Sequence, residues 1–144
     1  MKKGIPEMIE NANAPELQIA LQQHLRETQG QVARLERIFS ALGVEAKTKD
    51  NDILDEMMSA AKDSVSNIEA SPLRDAALIV NGNQVEHYEI ALYGSLAAFA
   101  RNLALQEAAG LLDESLNEEK KADAKLTQIG ETVMNPRAAR TRTA

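Results

Sequence analysis

The feature that most constrains the fold is an apolar stripe with a carboxylate at its centre. From about Pro72 to Leu103, the residues Leu78, Gly82, Val85, Glu89, Leu92, Leu96, Phe99 and Leu103 recur at alternating spacings of four and three. That recurrence predicts a long amphipathic helix with this series as its core face. Glu86 lies one turn back from Glu89, so both acids address the same edge of the core. Two unpaired carboxylates are expensive to bury, so such groups are protonated, paired or bound to a metal.

The pattern recurs in two further segments. From Glu16 to Leu42 the stripe reads Leu17, Leu21, His24, Thr28, Gln31, Leu35, Ile38 and Leu42, with Glu27 on its edge. Asn13 stands as the expected N-cap, Pro15 falls in the first turn, and Gly43 marks the stop. Gly30, inside this helix, suggests a close helix crossing. From about Gln106 to Gly130 the stripe is Ala109, Leu112, Leu116, Glu119, Asp123, Leu126 and Ile129. Again the ends are apolar and the middle is acidic. Between these segments, Ile5 to Ala12 has room for two turns of helix. A shorter amphipathic helix is expected from about Asp52 to Glu69, with Ile53, Leu54, Met57, Met58, Ala61, Val65 and Ile68 inward. Ser71-Pro72 supplies a cap and first-turn proline for the long helix that follows.

Composition agrees with an all-α protein. Aromatic residues are 3% of the 144, tryptophan is absent, and the few glycines and prolines sit mostly at segment ends. The formal charge of −6 makes nucleic acid an improbable partner. The absence of cysteine excludes disulfides, thiolate metal sites and cysteine nucleophiles. No apolar run approaches the roughly 20 residues of a membrane-spanning helix, and no signal peptide follows Met1-Lys2-Lys3-Gly4. A cytoplasmic protein without membrane attachment is expected. The chain divides into a helical-bundle domain over 1–130 and a flexible basic tail over 131–144, which carries Arg137, Arg140 and Arg142.

Packed as a bundle, the three long helices bring their polar centres to a similar height: His24, Glu27 and Gln31; Glu86 and Glu89; Glu118, Glu119 and Asp123. Carboxylates and histidines converging from facing helices are the design of carboxylate-bridged metal sites. Oxygen and imidazole donors suit iron, manganese or zinc better than copper(I). A metal-free layer that fixes helix register through hydrogen bonds is the competing reading. No phosphate loop, dinucleotide fingerprint or Ser-His-Asp order is present. His87 sits one residue off the acid pair and belongs on a flank. Tyr88 and Tyr93 read as core or interface residues with hydrogen-bonded hydroxyls.

Three blocks together carry a family resemblance. They are His24-Leu25-Arg26-Glu27-Thr28 with Gln31 and Arg34-Leu35; Glu86-His87-Tyr88-Glu89-Ile90-Ala91 with Tyr93-Gly94; and Leu116 with Glu118-Glu119 and Asp123. In this order they resemble the YciE/YciF-like family, a bacterial group within the ferritin-like superfamily. The resemblance runs from about Ile5 to Ile129. It implies a ferritin-like antiparallel helical bundle with the first long helix largely missing and a short crossover helix. It also implies a dimer and a role in stress response. Glu27, Glu86, Glu89 and Glu119 would match the carboxylates of a ferritin-like iron or manganese centre, with His24, Glu118 and Asp123 as alternates. Chemistry at such a centre would be the handling of peroxide or oxygen. Three inward-facing leucine stripes without the first helix also leave an apolar groove, which a second copy or a protein partner is expected to cover. The alternative is a metal-free structural or protein-interaction module.

Overall fold

The computed structural model describes residues 4–141. Arg142 of the basic tail and the first three residues lie outside this range. The elements in chain order are α1 (Gly4–Asn11), α2 (Pro15–Ala41), α3 (Asp52–Ser66), α4 (Pro72–Asn102) and α5 (Gln106–Ile129). A π-helical turn (Gly130–Met134) then leads into α6 (Asn135–Thr141).

Three long helices make the bundle, and their side-chain pairs give its directions. Arg34 reaches Glu114 and Glu118, while Arg37 reaches Glu107, so α2 and α5 run antiparallel. Arg101 pairs with Asp113 and Asn83 with Asp123, so α4 and α5 are antiparallel too. His24 faces Glu86 and Tyr93 faces Gln31, so α2 and α4 run parallel. The connection through α3 crosses over to permit this. The all-α antiparallel bundle with a short crossover helix, expected from the sequence, is the observed architecture.

Helix ends follow local chemistry, apart from the starts of α2 and α5, which carry no side-chain cap bond. Ser71 caps α4 through the Arg74 N–H, and Asn51 caps α3 through the Leu54 N–H. At the end of α2, Gly43 takes φ +66°, with Val44 N–H donating to Phe39 O and Gly43 N–H to Ser40 O. These are the two bonds of a Schellman motif. The same bonds close α4, but there the left-handed position is held by Ala104 at φ 57°. The start of α2 differs from the expectation. Asn13 is not its cap; Ala14 holds that position and makes no side-chain cap bond. The work is done from α4. The buried carboxylate of Asp75 accepts from the Asn13 and Ala14 backbone N–H groups at 2.8 and 2.9 Å.

The core is in two parts. One end packs Ile5, Leu17, Leu21, Val65, Leu78, Ile79, Leu126, Ile129 and Met134. The other packs Tyr93, Ala97, Ala100, Ala109 and Leu112. A polar layer lies between them. At Gly82 the helices approach so closely that a Cβ would sit 2.8 Å from a Leu126 methyl, which accounts for a glycine in an otherwise apolar stripe. Gly30 is different: a Cβ there would meet nothing within 4 Å, so no helix crosses at that point.

Several faces differ from the stripes read in the sequence. In α4 the second half of the stripe points outward: Leu92, Leu96, Phe99 and Leu103 are exposed, the last two by 61% and 69%. The core takes Tyr93, Ala97 and Ala100 instead. A strict heptad drifts by about 20° per repeat on a straight helix of 3.6 residues per turn, so a stripe of this length walks off the buried face. In α5 the buried set is Ala109, Leu111, Leu112, Ser115, Glu119, Ala122, Leu126 and Ile129; Leu116 and Asp123 are only half-buried. The crossover helix α3 stops at Ser66 rather than near Glu69, and only Val65 of its apolar face is buried. After Gly130 the chain does not leave the helix as a loose tail. It stays helical to Thr141, with Met134 fully buried and Arg137 paired to Glu16 at 3.0 Å.

Candidate metal centre

The polar layer is built from the middle turns of all three long helices. From α2 come His24, Thr28 and Gln31; from α4, Glu86 and Glu89; from α5, Ser115 and Glu119. His24, Glu86, Glu89 and Glu119 each present one ligand-type atom, and these atoms all lie within 4.8 Å of one another. His24 Nε2 is 3.1 Å from Glu86 Oε1 and 3.9 Å from Glu119 Oε2. Glu119 is 0% exposed.

What singles this cluster out is its unmet bonding. Both ring nitrogens of His24 and one oxygen each of Glu86, Glu89 and Glu119 are buried without a hydrogen-bond partner. Even the 3.1 Å approach of His24 to Glu86 lacks hydrogen-bond alignment. Buried polar groups in folded proteins nearly always find partners, so five orphaned atoms on four neighbouring side chains are a strong anomaly. Tyr93 donates its hydroxyl to Gln31 Oε1 at 3.3 Å, which turns the Gln31 amide nitrogen toward Glu119 Oε1. One oxygen of Glu119 is thereby tied back. The other is left facing the cluster.

Crowding three carboxyls and an imidazole shifts their proton affinities. Burial, the contact with Glu86, and the charges of Glu89 and Glu86 push Glu119 up to about 10, against the pull of the Gln31 amide. Burial and the charge of Glu86 push Glu89 up to about 7, with His24 opposing. Burial alone would lower His24, but Glu86, Glu89 and Glu27 outweigh it and raise its proton affinity. Burial and the nearby carboxylates also raise Tyr93, keeping its phenol neutral. Protons therefore occupy this layer wherever no other cation does.

The structure gathers the sequence candidates unequally. Glu86, Glu89 and Glu119 converge, with His24 among them. Glu27 stands at the margin: its Oε2 is 3.9 Å from His24 Nδ1, and Gln23 donates to its other oxygen at 2.9 Å. Glu118 is turned aside into a bidentate pair with Arg34, one bond of which is 2.7 Å. Arg34 holds it below the ordinary carboxylate range although burial works the other way. Asp123 is occupied by Asn83 at 2.6 Å and by the exposed His87 at 3.1 Å. Sequence reading gave no role to Ser115, although it lies four residues before Glu119 and so on the same face. Nor did it give Arg34 a partner, since pairing across helices depends on packing.

The fold and site define a class: an all-α bundle whose two apolar cores are parted by a buried carboxylate–histidine layer. The chain belongs to the family described as a domain of unknown function, DUF892, whose model matches residues 1–139. It is 34% identical to Protein YciF of Escherichia coli K12 over 139 residues, covering 96% of this chain and 84% of YciF. The crystal structure of YciF, described as an E. coli stress protein, superposes with a TM-score of 0.87 at 33% identity, over 93% of this chain and 85% of that one. YcfI from Rhodopseudomonas palustris, described provisionally as a structural protein, gives 0.85 at 38% identity, over 88% and 80%. Among the described residues, no helix is long and apolar enough to cross a membrane.

Proposed function

We propose that this chain is a stress-response bundle protein that holds iron or manganese between α2, α4 and α5, with His24, Glu86, Glu89 and Glu119 as ligands. The observation that carries this reading is the convergence of one ligand-type atom from each of these four side chains within 4.8 Å, on residues that each also leave a buried atom unbonded. A divalent cation at their centre would replace shared protons and take one ring nitrogen of His24 with an oxygen from each of the three carboxylates. The donor set, imidazole and carboxylate without sulfur, fits iron or manganese. When bound, such an ion supplies redox chemistry toward peroxide or dioxygen. The protein's own residues would orient and insulate. Gln31 fixes the rotamer of Glu119, Tyr93 fixes the amide of Gln31, and Arg34 keeps Glu118 out of the layer. Glu27 would act on the far nitrogen of His24 as an outer partner.

The test is metal content of tag-free protein purified after growth with iron and manganese, beside the Glu89→Ala variant. Near-stoichiometric metal in the parent, lost in the variant, is the expected result. Absence of metal from the parent, or its retention in the variant, would overturn the assignment. A second reading, a metal-free interaction module, is favoured by the exposed strip Leu92, Leu96, Phe99 and Leu103 on α4. Large apolar residues aligned on one helix face are the form an association surface takes. Association through this exposed strip would leave the buried acid layer free to hold a metal or not, so metal content decides between the two readings.

A further inference from the structure

The crossover helix α3 is lightly held: of its 15 residues only Val65 is buried. Polar contacts tie it to its neighbours. Lys62 pairs with Glu7 of α1 at 2.8 Å, and the Asn81 amide of α4 donates to Ala61 O and Ser64 Oγ at 3.3 and 2.8 Å. One further contact is apolar. The Met58 methyl lies against Gly4 at the start of α1, where a Cβ would collide with it and stand 3.1 Å from the sulfur. We propose that Met58 is an oxidation site for a small hydroperoxide, and that its conversion to the sulfoxide frees α3 from α1.

Access comes first. A cavity of about 30 Å³, open to solvent, lies between α1, α3 and α4, with Glu7, Asn11, Lys62 and Asn81 in its lining. That space admits a molecule the size of water or hydrogen peroxide. A second cavity, of about 10 Å³, lies against Ile5, Leu21, Val85 and Leu126. Met8 and Met58 line both, so their side chains form the partition. Met58 is half-buried: its thioether packs on α1 yet borders a space that solvent enters. The chemistry is an oxygen transfer. The sulfur attacks one peroxide oxygen and gives up two electrons, and the O–O bond breaks. The other oxygen leaves as water after a proton passes to it through solvent, so each peroxide yields one sulfoxide and one water. No metal takes part, and the proposal stands apart from the metal assignment. The structural consequence follows from polarity. Oxidation turns a flexible apolar end into a strong dipole. The walls of the inner cavity are mainly aliphatic and leave the new oxygen poorly partnered. With so little of α3 buried, moving it outward to hydrate the sulfoxide is easier than keeping that oxygen in place.

The test treats the full chain, in chelator, with hydrogen peroxide and follows each methionine by peptide mass spectrometry. Met134, 0% exposed, is the protected comparison; Met57, half-buried on α3 but lining neither cavity, is the neighbouring one. Met58 should oxidise while Met134 stays reduced. Amide hydrogen exchange should then speed up in α3 by about tenfold or more, with α5 unchanged. Met58→Leu keeps an apolar side chain of similar size without sulfur, so peroxide should leave its α3 exchange unmoved even where Met8 and Met57 are oxidised. Met58→Gln, polar from the start, should show the faster α3 exchange without peroxide. Met58 left reduced under conditions that convert Met57 would overturn the proposal. So would an oxidised Met58 with parent-like exchange in α3, or equal loss of α3 protection in peroxide-treated Met58→Leu. If Met58→Gln fails to fold, the treated parent beside Met58→Leu still decides.

Discussion

Replacing Glu119 by glutamine should stabilise the metal-free protein at neutral pH while abolishing metal uptake. In the folded state Glu119 keeps its proton up to about pH 10, against an ordinary value of 4.5 when unfolded. A group whose folded proton affinity is raised binds more protons folded than unfolded, so stability falls as pH rises between the two values. From 4.5 to pH 7 that is about 2.5 pH units at 1.36 kcal/mol each, or up to about 3 kcal/mol removed from the native state. Glutamine does not ionise in either state and escapes this penalty. It also fits the site: its carbonyl can keep the Gln31 bond, and its NH₂ replaces the orphaned oxygen and can donate to Glu86.

Glu89, raised to about 7, and His24, also raised, act in the same direction. The Glu89 contribution is lost from about pH 4.5 to 7. The His24 contribution is complete below about 6.5 and disappears as pH passes its folded value. The parent chain, stripped of metal, should therefore be more stable at pH 5 than at pH 8. Urea or thermal unfolding in chelator at several pH values measures this directly. Glu119→Gln should match the parent near pH 4.5 and exceed it at pH 7 by a few kcal/mol, on the order of 5–10 °C in Tm. The variant should then gain nothing from added iron or manganese, whereas the parent gains by mass action. A variant destabilised equally at every pH, or a parent whose stability climbs from pH 5 to 8, would refute the reasoning about this layer.

Other expectations test the frame around the site. Asp75→Ala removes the acceptor for two backbone N–H groups at the start of α2 and should cost about 2–4 kcal/mol in urea unfolding, with Asp75→Asn intermediate. Ala104→Gly relieves a left-handed alanine at φ 57° and should raise stability by about 0.5–1 kcal/mol. Gly30→Ala, where a Cβ meets nothing, should gain a similar amount of about 0.5–1 kcal/mol through helix propensity. Light scattering at micromolar concentration should show association through the α4 strip, reduced by Phe99→Glu without loss of helicity by circular dichroism. A monodisperse parent monomer would remove the strip from consideration as an interface.

The helices and the acids at their centres were legible because both are local signals. Periodicity placed α2, α4 and α5, and Glu86, Glu89 and Glu119 were visible as carboxylates interrupting apolar stripes. What escaped depends on neighbours distant in the chain. Asp75 looks like an ordinary first-turn acid of α4, and only packing reveals that it caps α2. Glu27 and His24 are three residues apart on one helix edge, and the rotation of α2 against α5 decides which enters the layer. The α4 stripe misled in its second half because leucine outranks alanine in hydrophobicity, whereas close packing against α5 favours Ala97 and Ala100. Serine and alanine at 115 and 122 displaced Leu116 and Asp123 from the buried face for the same reason.

These displaced leucines bear on how the bundle divides its labour. Had Leu96, Phe99 and Leu103 faced inward, the upper core would have been thick and the helices further apart at the level of Tyr93. With alanines inward, the helices close up there, and the phenol of Tyr93 reaches Gln31 directly beside the carboxylate layer. The small residues that turn large apolar side chains out to solvent thus also position the amide that holds Glu119. An association surface on α4 and a tightly oriented acid layer are two consequences of one packing choice. Widening the upper core, for instance by Ala97→Leu, should disturb Glu119 and the exposed strip together.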